Sequence, residues 1–457
     1  MADLSKQSGN RVVTRFAPSP TGPFQVGGIR SALFNYLYAR QHGGIYILRC
    51  EDTDPVRSKK EYESYFLDVF SWLQLEHDAY YRQSERGVIY KKYLEQLIVS
   101  GKAYVSKEEP RKEGERAEII RFKNPNTTVS FKDEILGDIS VDTTDLGDFV
   151  IARDFHSPLY HFTVVVDDFE MGITHVIRGK EHVANTPRQI LIQEALGAPR
   201  PVYAHLPLIL SADRKKLSKR DPNVTPALTY RDNGYLPAAI LNFMALTGWN
   251  PGGTQEVFTK NELIKLFSLP RIQRSDGVFN GEKLEWLNKE HIKRLPLEEL
   301  TKNIEKYLTP DIANLPGYSC EKLVRIAPIL AERISHFGEI TPMAESGELS
   351  FYFQKPTYLK ERLFWKEEHD IAKLIERLEK VKMLLHSVDT RNFTQENIKS
   401  ALWNYAEEEG RGQVLWPTRY ALSGKEKSPD PFQLAAIFGK KETENRLENA
   451  IALCKGQ

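Results

Sequence analysis

A turn near the start of the chain combines prolines and glycines in a way that suits phosphate binding. Within Arg15 to Arg30 (R-F-A-P-S-P-T-G-P-F-Q-V-G-G-I-R) three prolines stiffen the backbone, while Gly27 and Gly28 lack a Cβ and let a ligand approach it. A helical pattern follows, and the start of a helix offers unpaired N–H groups and a positive dipole end to an anion. The turn therefore predicts a nucleotide phosphate site, with an ordinary proline-rich turn as the alternative.

A second cationic segment lies far along the chain, at Asp213 to Arg220 (D-R-K-K-L-S-K-R), where five of eight residues are cationic. It follows the predicted strand Val202 to Leu210, so it would emerge at the carboxyl end of a strand, where open α/β sheets bind ligands. Lysines at such a place could neutralise charge that develops on a transferring phosphoryl or nucleotidyl group. The alternative is a solvated loop, which an isolated cationic run usually is.

The first half of the chain alternates short apolar runs with helical patterns that would position these segments. Arg11 to Ala17 is predicted as a strand, Gly28 to Arg40 as a helix and Gly44 to Cys50 as a second strand. This strand-helix-strand unit indicates a parallel sheet and an α/β fold class. The other predicted elements of this half are helices at Lys59 to Leu73, Val88 to Val99 and Thr186 to Leu196, strands at Ala103 to Val105, Phe149 to Arg153, Ile173 to Arg178 and Val202 to Leu210, and a helix or buried strand at Leu159 to Val166.

The pattern changes twice further along the chain. Ser106 to Gly147 is charged and has only weak strand patterns, at Thr128 to Phe131 and Asp138 to Val141, as expected for an insertion between two halves of a sheet. From Thr225 onwards the pattern is mainly helical and strands become scarce. Past Leu295 nearly every periodic segment is helical, so the second half is predicted to be an all-helical body. Its predicted helices are Leu236 to Thr247, Lys260 to Phe267, Leu284 to Lys293, Leu297 to Tyr307, Glu321 to Phe337, His369 to His386, Gln395 to Glu409, Phe432 to Phe438 and Lys441 to Leu453.

Length and composition exclude several classes of protein. The 457 residues suggest about three domains, and 63 basic against 62 acidic residues mean that any nucleic-acid contact must come from local basic patches. Cys50, Cys320 and Cys454 lie far apart, which argues against a disulfide framework and against a C-x-x-C zinc site. Neither a signal peptide nor an apolar run near the roughly 18 residues of a membrane span is recognisable. We therefore expect a cytoplasmic protein that does not bind membranes.

Considered together, the ordered motifs resemble those of glutamyl-tRNA synthetases of the bacterial type, a class I family. Besides the two segments above, the motifs are R-C-E-D-T-D at Arg49 to Asp54, V-I-R-G-K-E-H at Val176 to His182, N-T-P-R-Q at Asn185 to Gln189, F-N-G-E-K-L-E-W-L-N at Phe279 to Asn288 and L-W-P-T-R-Y-A-L-S-G at Leu415 to Gly424. They run in order through nearly the whole chain. The resemblance implies a Rossmann-type catalytic domain with an insertion, followed by an all-α stem-contact and anticodon-binding region. The implied parts are 1–105 and 148–222 for the two catalytic halves, 106–147 for a shortened acceptor-end insertion, 223–320 for the stem-contact domain and 321–457 for the anticodon-binding domain.

The resemblance also implies an ATP site with Mg²⁺ carried by the nucleotide. Phe24 to Gly28 (F-Q-V-G-G) stands where the family has its first signature, and Lys216 to Arg220 (K-L-S-K-R) stands where it has the second. The residues implied to bind ATP are Lys216, Lys219, Ser218, Gly27 and Gly28. Gln25 departs from the usual histidine; glutamine keeps an N–H donor but cannot carry a charge. We interpret Gln25, with Lys216 and Lys219, as part of an active catalytic site.

The implied amino-acid substrate, L-glutamate, presents two carboxylates and one ammonium group. Guanidinium groups match carboxylates with two parallel hydrogen bonds, so Arg15 and Arg178 are the predicted clamps, without either being assigned to either carboxylate. The resemblance implies that Glu51 pairs with the α-ammonium. Further implied contacts are Ala17, Ser19 and Tyr160. His182 is expected near the rim of the pocket, and Lys180 stands where many relatives carry an acid.

The expected activity is that of a glutamate–tRNA ligase acting on tRNA(Glu), with tRNA(Gln) as an open second substrate. We expect no structural zinc, because the insertion has no cysteine. We also expect the protein to be a monomer. Arg333 is a candidate anticodon contact, with a solvated helix residue as the alternative. A catalytically weakened tRNA-binding paralogue remains an alternative that Gln25 favours, whereas a small-molecule nucleotidyltransferase would not explain the helical half.

Overall fold

The computed structural model describes residues 11–108, 118–211, 213–215 and 225–456, and the chain divides into two compact units, Met1–His291 and Ile292–Gln457. The elements of the first unit, up to the helix at its boundary, are β1 (Val13–Phe16), α1 (Val26–Gln41), β2 (Ile45–Cys50), α2 (Lys60–Leu73), β3 (Ala79–Arg82), α3 (Gly87–Val99), β4 (Ala103–Lys107), β5 (Glu118–Phe122), β6 (Thr128–Asp133), β7 (Gly137–Asp142), β8 (Phe149–Ala152), α4 (Tyr160–Glu170), β9 (His175–Gly179), α5 (Thr186–Leu196), β10 (Val202–Leu206), β11 (Ile209–Leu210), α6 (Ala227–Asp232), α7 (Pro237–Leu246), α8 (Lys260–Leu266), β12 (Gly277–Val278) and α9 (Gly281–Lys293).

Seven strands form the main sheet of this unit, in the order β3-β2-β1-β9-β10-β6-β7. Neighbouring strands are parallel, except in the antiparallel β6–β7 hairpin at one edge. The strand order reverses at β1, which lies between β2 and β9, and open α/β sheets bind ligands at such a switch point. The predicted α/β class with a parallel sheet is confirmed.

The strand β2 illustrates why the sheet is covered on both faces. All six of its residues are buried. Ile45 and Ile47 belong to a core that contains residues of α3, α4 and α5, while Tyr46 and Leu48 belong to a core that contains residues of α1, α2 and α7. A strand between two layers of helices has no solvated face, which explains the apolar run at residues 45–48; the charge of Arg49, which follows, is paired with buried carboxylates.

Some predicted elements differ from the structure. Val202 to Leu210, predicted as one strand, forms β10 in the main sheet and β11, which pairs with β12 in a separate two-stranded sheet. Pro207 separates them, because proline has no N–H to donate to a neighbouring strand. Leu159 to Val166, left open between helix and strand, is part of the helix α4, and β3 was not predicted.

The segment Ser106 to Gly147, predicted as an insertion, contributes to two sheets. Its hairpin β6–β7 extends the main sheet, where Asp133 of β6 pairs with Tyr203 of β10. Its other described strand, β5, was not predicted and pairs antiparallel with β4 and β8 in a three-stranded sheet. The segment therefore supplies part of the framework that surrounds the site described below.

The second unit is helical throughout its described residues, as predicted. Its helices are α10 (Leu297–Lys306), α11 (Pro310–Ala313), α12 (Cys320–Arg333), α13 (Ile340–Glu345), α14 (Ser350–Phe353), α15 (Ile371–His386), α16 (Gln395–Glu409), α17 (Arg411–Ser423) and α18 (Pro431–Lys455). The two helices predicted on either side of Gly439 are segments of α18, which breaks there at φ 74° and ψ 169°, a conformation that favours glycine. The helix α17 was not predicted, and it contains Pro417. Among the described helices, none combines the length and the apolar character needed to cross a bilayer.

Candidate active site

A cavity of about 770 Å³ opens at the carboxyl ends of β1 and β9, at the switch point of the main sheet. All nine predicted site residues that the structure describes line this cavity: Arg15, Ala17, Ser19, Gln25, Gly27, Gly28, Glu51, Tyr160 and Arg178. They come from parts of the sequence up to about 160 residues apart, and the parallel sheet brings them together because its strands end at one edge.

The turn that precedes α1 has the shape expected of an anion site. A Cβ on Gly28 would lie 2.5 Å from Cε2 of Phe24, whereas a Cβ on Gly27 would meet nothing within 4 Å. Gly28 is therefore required for packing, while the backbone at Gly27 is open towards the cavity. The amide of Gly28 donates to the Gln25 carbonyl oxygen over 2.9 Å, and the first turn of α1 carries no acidic side chain. The positive end of the helix dipole is left available to an anion.

Arg15 enters the cavity from β1 with its charge already paired. Its Nε lies 3.1 Å from Oδ1 of Asp168, its Nη2 lies 3.3 Å from Oδ2, and both side chains are buried. Nη1 of Arg49 donates to the same carboxylate over 2.7 Å. Burial opposes ionisation of Asp168, but Arg15 and Arg49 outweigh burial and hold its pKa below the ordinary value. The Asp168 carboxylate thus neutralises part of this cluster of cations.

Glu51 belongs to the same buried cluster. Its Oε1 accepts a hydrogen bond from Nη2 of Arg49 over 3.1 Å, and the residue lines the cavity. Burial raises the pKa of Glu51, while Arg49 and Arg15 counteract part of this rise. A carboxylate with one oxygen directed to a guanidinium keeps acceptor capacity on its other oxygen, so Glu51 can receive a cationic group of a ligand.

Arg178 is held in a different way. It lies at the end of β9 with 8% of its surface exposed, its Nε donates to Nε2 of His205 over 3.1 Å, and its Nη2 donates to Oγ1 of Thr186 over 2.9 Å. Among the described residues, no carboxylate lies within ion-pair distance of its guanidinium. Burial lowers the pKa of Arg178. A buried guanidinium that has only neutral partners and faces a cavity is suited to bind an anionic group.

Tyr160 and His182 close one side of the cavity. The hydroxyl of Tyr160 lies 3.0 Å from Nδ1 of His182, which is also 3.2 Å from Nδ2 of Asn185. Burial, reinforced by Arg178 and Arg15, lowers the pKa of His182 to about 3, so its imidazole is neutral near pH 7. His182 therefore lies beside the cavity, and its neutral imidazole orients the hydroxyl of Tyr160.

The structure adds functional residues that sequence reasoning missed. Asp168, His205 and Thr186 hold the two arginines; of these, only Thr186 lay within a motif that had been singled out. Lys180, which stands where many relatives carry an acid, has an ion-pair partner, since its Nζ lies 2.5 Å from Oδ1 of Asp276. The added positive charge at this position is therefore compensated locally.

The predicted phosphate-binding residues Lys216, Ser218 and Lys219 lie outside the described residues. Ile209, which precedes them in the chain, lines the cavity. Within the described ranges there is no group of three or more histidine, cysteine or acidic side chains that could hold a metal ion.

The second unit has a cavity of its own, of about 700 Å³, lined by residues that include Arg333 and Arg419. Arg333 forms an ion pair with Glu348. The guanidinium of Arg419 lies 4.8 Å from the ring centroid of Trp416, and its Nη2 donates to the Glu426 carbonyl oxygen over 2.9 Å. This cavity is lined by three cationic residues, Arg333, Arg419 and Lys427, which is an arrangement that suits the phosphates of a nucleic acid.

Comparison with known proteins identifies the family. Residues 11–113 and 105–286 match the family described as tRNA synthetases class I (E and Q), catalytic domain, and residues 299–451 match the family described as anticodon binding domain. The glutamate–tRNA ligase of Aquifex aeolicus (strain VF5) is 40% identical, over 96% of this chain and 98% of that protein. The glutamate–tRNA ligase of Thermodesulfovibrio yellowstonii is 38% identical, over 96% and 99%.

The fold comparison agrees. A crystal structure of a glutamate tRNA ligase from Elizabethkingia meningosepticum, in complex with its amino acid, superimposes with a TM-score of 0.83 and 32% sequence identity, covering 97% of this chain and 99% of that chain. Both matched domains, their order and the cavity at the switch point lead to the same assignment: this chain belongs to the class I tRNA synthetases of the glutamate and glutamine (E and Q) family.

Proposed function

We propose that this chain is a glutamate–tRNA ligase. It activates L-glutamate with ATP to glutamyl-adenylate and transfers the glutamyl group to the 3′ end of tRNA(Glu). The observation that carries the proposal is the cavity at the ends of β1 and β9, which joins an anion-receptive helix start to the buried guanidinium of Arg178. Family membership and the activity named for the relatives support the same reaction.

In the first step, a carboxylate oxygen of glutamate attacks the α-phosphorus of ATP in line. A P–O bond forms while the bond from this phosphorus to the bridging oxygen breaks, and pyrophosphate leaves. Such a reaction needs no side-chain nucleophile, because catalysis depends on positioning and on stabilising charge in the transition state. We assign that role to the N–H groups at the start of α1, to Lys216 and Lys219, to Gln25 and to the Mg²⁺ bound by the nucleotide.

The residues around the cavity divide between the two substrates. Arg178 pairs with a carboxylate of glutamate, because it lacks an anionic partner among the described residues, and Glu51 pairs with the α-ammonium. The remaining proposed glutamate contacts are Arg15, Ala17, Ser19 and Tyr160. The proposed ATP contacts are Gly27, Gly28, Lys216, Ser218 and Lys219.

In the second step, a hydroxyl of the terminal adenosine of tRNA attacks the carbonyl carbon of the mixed anhydride, and AMP leaves. We propose that the anticodon is bound by the second unit, at the cavity that contains Arg333 and Arg419. The guanidinium groups of Arg333 and Arg419 support this proposal because such groups pair with the phosphates of nucleic acids.

The finer parts of the proposal concern organisation and partners. We propose a cytoplasmic monomer without structural zinc, in which 1–105 and 148–222 form the catalytic domain, 106–147 the acceptor-end insertion, 223–320 the stem-contact domain and 321–457 the anticodon-binding domain. Charging of tRNA(Gln) is the open alternative. Parallel aminoacylation of purified tRNA(Glu) and tRNA(Gln) with labelled glutamate decides between a discriminating and a non-discriminating enzyme.

Pyrophosphate exchange tests the central proposal. The purified protein is incubated with ATP, glutamate and labelled pyrophosphate, with and without tRNA, and label is expected in ATP when glutamate and tRNA(Glu) are both present. Aspartate and glutamine serve as control amino acids and should not support exchange. No exchange with any tRNA would instead favour the second candidate, a catalytically weakened tRNA-binding paralogue, for which Gln25 is the motivating observation.

A further inference from the structure

Behind Arg178, three neighbouring strands contribute a buried chain of polar side chains. The strand order β9-β10-β6 places Arg178 of β9 beside His205 of β10, with which it is in register, and His205 beside Asp133 of β6. Nε of Arg178 lies 3.1 Å from Nε2 of His205, and Nδ1 of His205 lies 2.6 Å from Oδ2 of Asp133. His205 and Asp133 are both essentially unexposed. Neither residue lines the cavity, so they can act on a substrate only through Arg178.

The geometry fixes the tautomer of His205. The guanidinium of Arg178 can only donate hydrogen bonds, so Nε2 of His205 must accept. An ionised carboxylate can only accept, so Nδ1 of His205 must carry the proton that is directed to Asp133. A second proton on the imidazole of His205 would direct its Nε2–H at the guanidinium of Arg178, which has no acceptor for it. Burial lowers the pKa of His205 in spite of the adjacent Asp133, which supports a neutral imidazole.

The carboxylate of Asp133 is itself held rigidly. It accepts from the backbone amides of Ile135 (3.0 Å), Leu136 (2.8 Å) and His205 (3.0 Å), in addition to Nδ1 of His205. Burial opposes its ionisation, but these hydrogen bonds outweigh burial and lower the pKa of Asp133. The negative charge is therefore used to anchor His205 and the start of the β6–β7 turn, and it does not contact Arg178 directly.

This arrangement orients Arg178 without neutralising it. A carboxylate in place of His205 would fix the guanidinium equally well but would offset the charge that a substrate carboxylate needs, as Asp168, which it shares with Arg49, does in part for Arg15. A neutral acceptor restricts the rotation of the guanidinium and leaves its charge available. Preorganisation of this kind strengthens binding, because less side-chain entropy is lost when the ligand arrives.

We propose that Asp133 and His205 are positioning residues for amino-acid recognition: Asp133 fixes the tautomer of His205, and Nε2 of His205 orients the guanidinium of Arg178 towards the carboxylate of the substrate. This inference rests on the proposed function, because it assumes that Arg178 binds glutamate. It extends the site into β6, a strand of the segment that was predicted to be an insertion.

The test is a split between the KM values for the two small substrates. His205→Phe keeps an aromatic ring beside Tyr203 and Phe131 but removes the acceptor. We expect the KM for glutamate in tRNA-dependent pyrophosphate exchange to rise about tenfold or more, as for loss of a hydrogen bond to a charged group, and the KM for ATP to change less than about twofold. Asp133→Asn should act in the same direction, because its amide can donate to Nδ1 of His205 and favour the wrong tautomer.

Two controls separate positioning from a general structural effect. Tyr203 lies on the same strand as His205, and its hydroxyl donates a buried hydrogen bond to Oε1 of Gln193 over 3.0 Å. Tyr203→Phe removes this hydrogen bond and should leave both KM values unchanged. In an Arg178→Lys background, His205→Phe should change the KM for glutamate by less than about twofold. The reason is that lysine lacks the Nε–H group of Arg178 from which Nε2 of His205 accepts a hydrogen bond. Equal effects in both backgrounds, or equal changes in the KM for ATP, would overturn the proposal.

A measurement without substrate keeps the inference separate from the proposed function. In the ¹⁵N NMR spectrum of histidine-labelled protein, His205 is expected to be protonated at Nδ1 and unprotonated at Nε2, and this signal is identified by its loss in His205→Phe or by its shift in Asp133→Asn. A protonated Nε2 contradicts the inference whether or not the protein is active. Absence of glutamate-dependent exchange in the unmodified protein refutes the proposed function and leaves the tautomer assignment to stand on the spectrum. If His205→Phe does not fold, Asp133→Asn and the spectrum carry the test.

Discussion

The two arginines of the cavity are buried to a similar degree but are compensated differently. Arg15 forms two hydrogen bonds with the carboxylate of Asp168, which also binds Arg49. Arg178 donates only to a neutral imidazole and a hydroxyl among the described residues. The guanidinium of Arg15 therefore shares a fixed carboxylate with Arg49, whereas the guanidinium of Arg178 has only neutral partners among the described residues.

The two environments have opposite energetic consequences. Removing one partner of a buried ion pair typically costs about 3–5 kcal/mol, because the other charge stays buried without compensation. Removing a buried cation that has no anionic partner costs less stability, because the penalty for its burial disappears together with its hydrogen bonds. Mutations on the Arg15 side should therefore affect folding, and mutations on the Arg178 side should affect substrate binding.

The largest effect is expected for Asp168→Asn, which keeps the shape of the side chain. Arg15 and Arg49 would both lose their shared counter-charge in a fully buried place, so the free energy of unfolding should fall by about 3–5 kcal/mol. Denaturant unfolding measures this change. The control Glu194→Gln breaks an exposed pair with Arg200 and should cost less than about 1 kcal/mol. Similar losses for both variants would show that burial of the cluster is not decisive.

Arg178→Gln should weaken the binding of glutamate and have little effect on stability. We expect the KM for glutamate to rise about 100-fold, equivalent to about 2–3 kcal/mol of binding, because the variant removes the charge that faces the substrate carboxylate. The free energy of unfolding should change by about 1 kcal/mol or less, because no described carboxylate loses a partner. Exchange kinetics and denaturant unfolding on the same preparation check both parts. Severe unfolding with an unchanged KM would reverse the roles assigned to the two arginines.

The comparison also shows what the sequence could predict. The strand-turn-helix at the start of the chain depends on local prolines, glycines and apolar spacing, and its site residues converge because parallel strands end at one edge. The sequence could not predict that Arg15 pairs with a carboxylate and Arg178 with a neutral imidazole. Asp168 lies 153 residues from Arg15, and His205 lies 27 residues from Arg178. Both pairs form through tertiary contacts, for which local periodicity carries no signal.

The missed elements have similar causes. The strand β3 (Ala79–Arg82) is only partly buried at the edge of the sheet, and its short run A-Y-Y-R contains no β-branched residue, so its strand signal is weak. The helix α17 contains Pro417, a residue that normally argues against a helix interior, and tertiary packing of this buried residue offsets its local cost. The sequence thus predicts the fold class and the place of the site, but not the partners that decide what each charge does.

A smaller effect concerns pH. Burial and the nearby arginines lower the pKa of His182 to about 3, against about 6.5 in an unfolded chain, so the unfolded state binds more protons between these values. The stabilising contribution of neutral His182 is complete above pH 6.5 and is lost as the pH falls towards 3. His182→Gln should therefore reduce the slope of unfolding free energy against pH by up to about 1 kcal/mol per unit between pH 4 and 6. Equal slopes for His182→Gln and the unmodified protein would contradict the prediction.

The smallest effect is expected for Gln25→His. Gln25 is a neutral hydrogen-bond donor in the cavity, at a position where the family usually has histidine. Gln25 precedes α1, and its backbone is fixed by the hydrogen bond from the Gly28 amide and by a bridge to Pro226, so Gln25→His should leave the fold intact. A histidine could add a charge-assisted hydrogen bond to the reacting phosphate, worth about 1 kcal/mol or roughly fivefold in rate. The rate of pyrophosphate exchange should therefore change by no more than about tenfold. A change of several orders of magnitude would mean that the charge at this position, and not the separate cations of the cavity, controls the reaction.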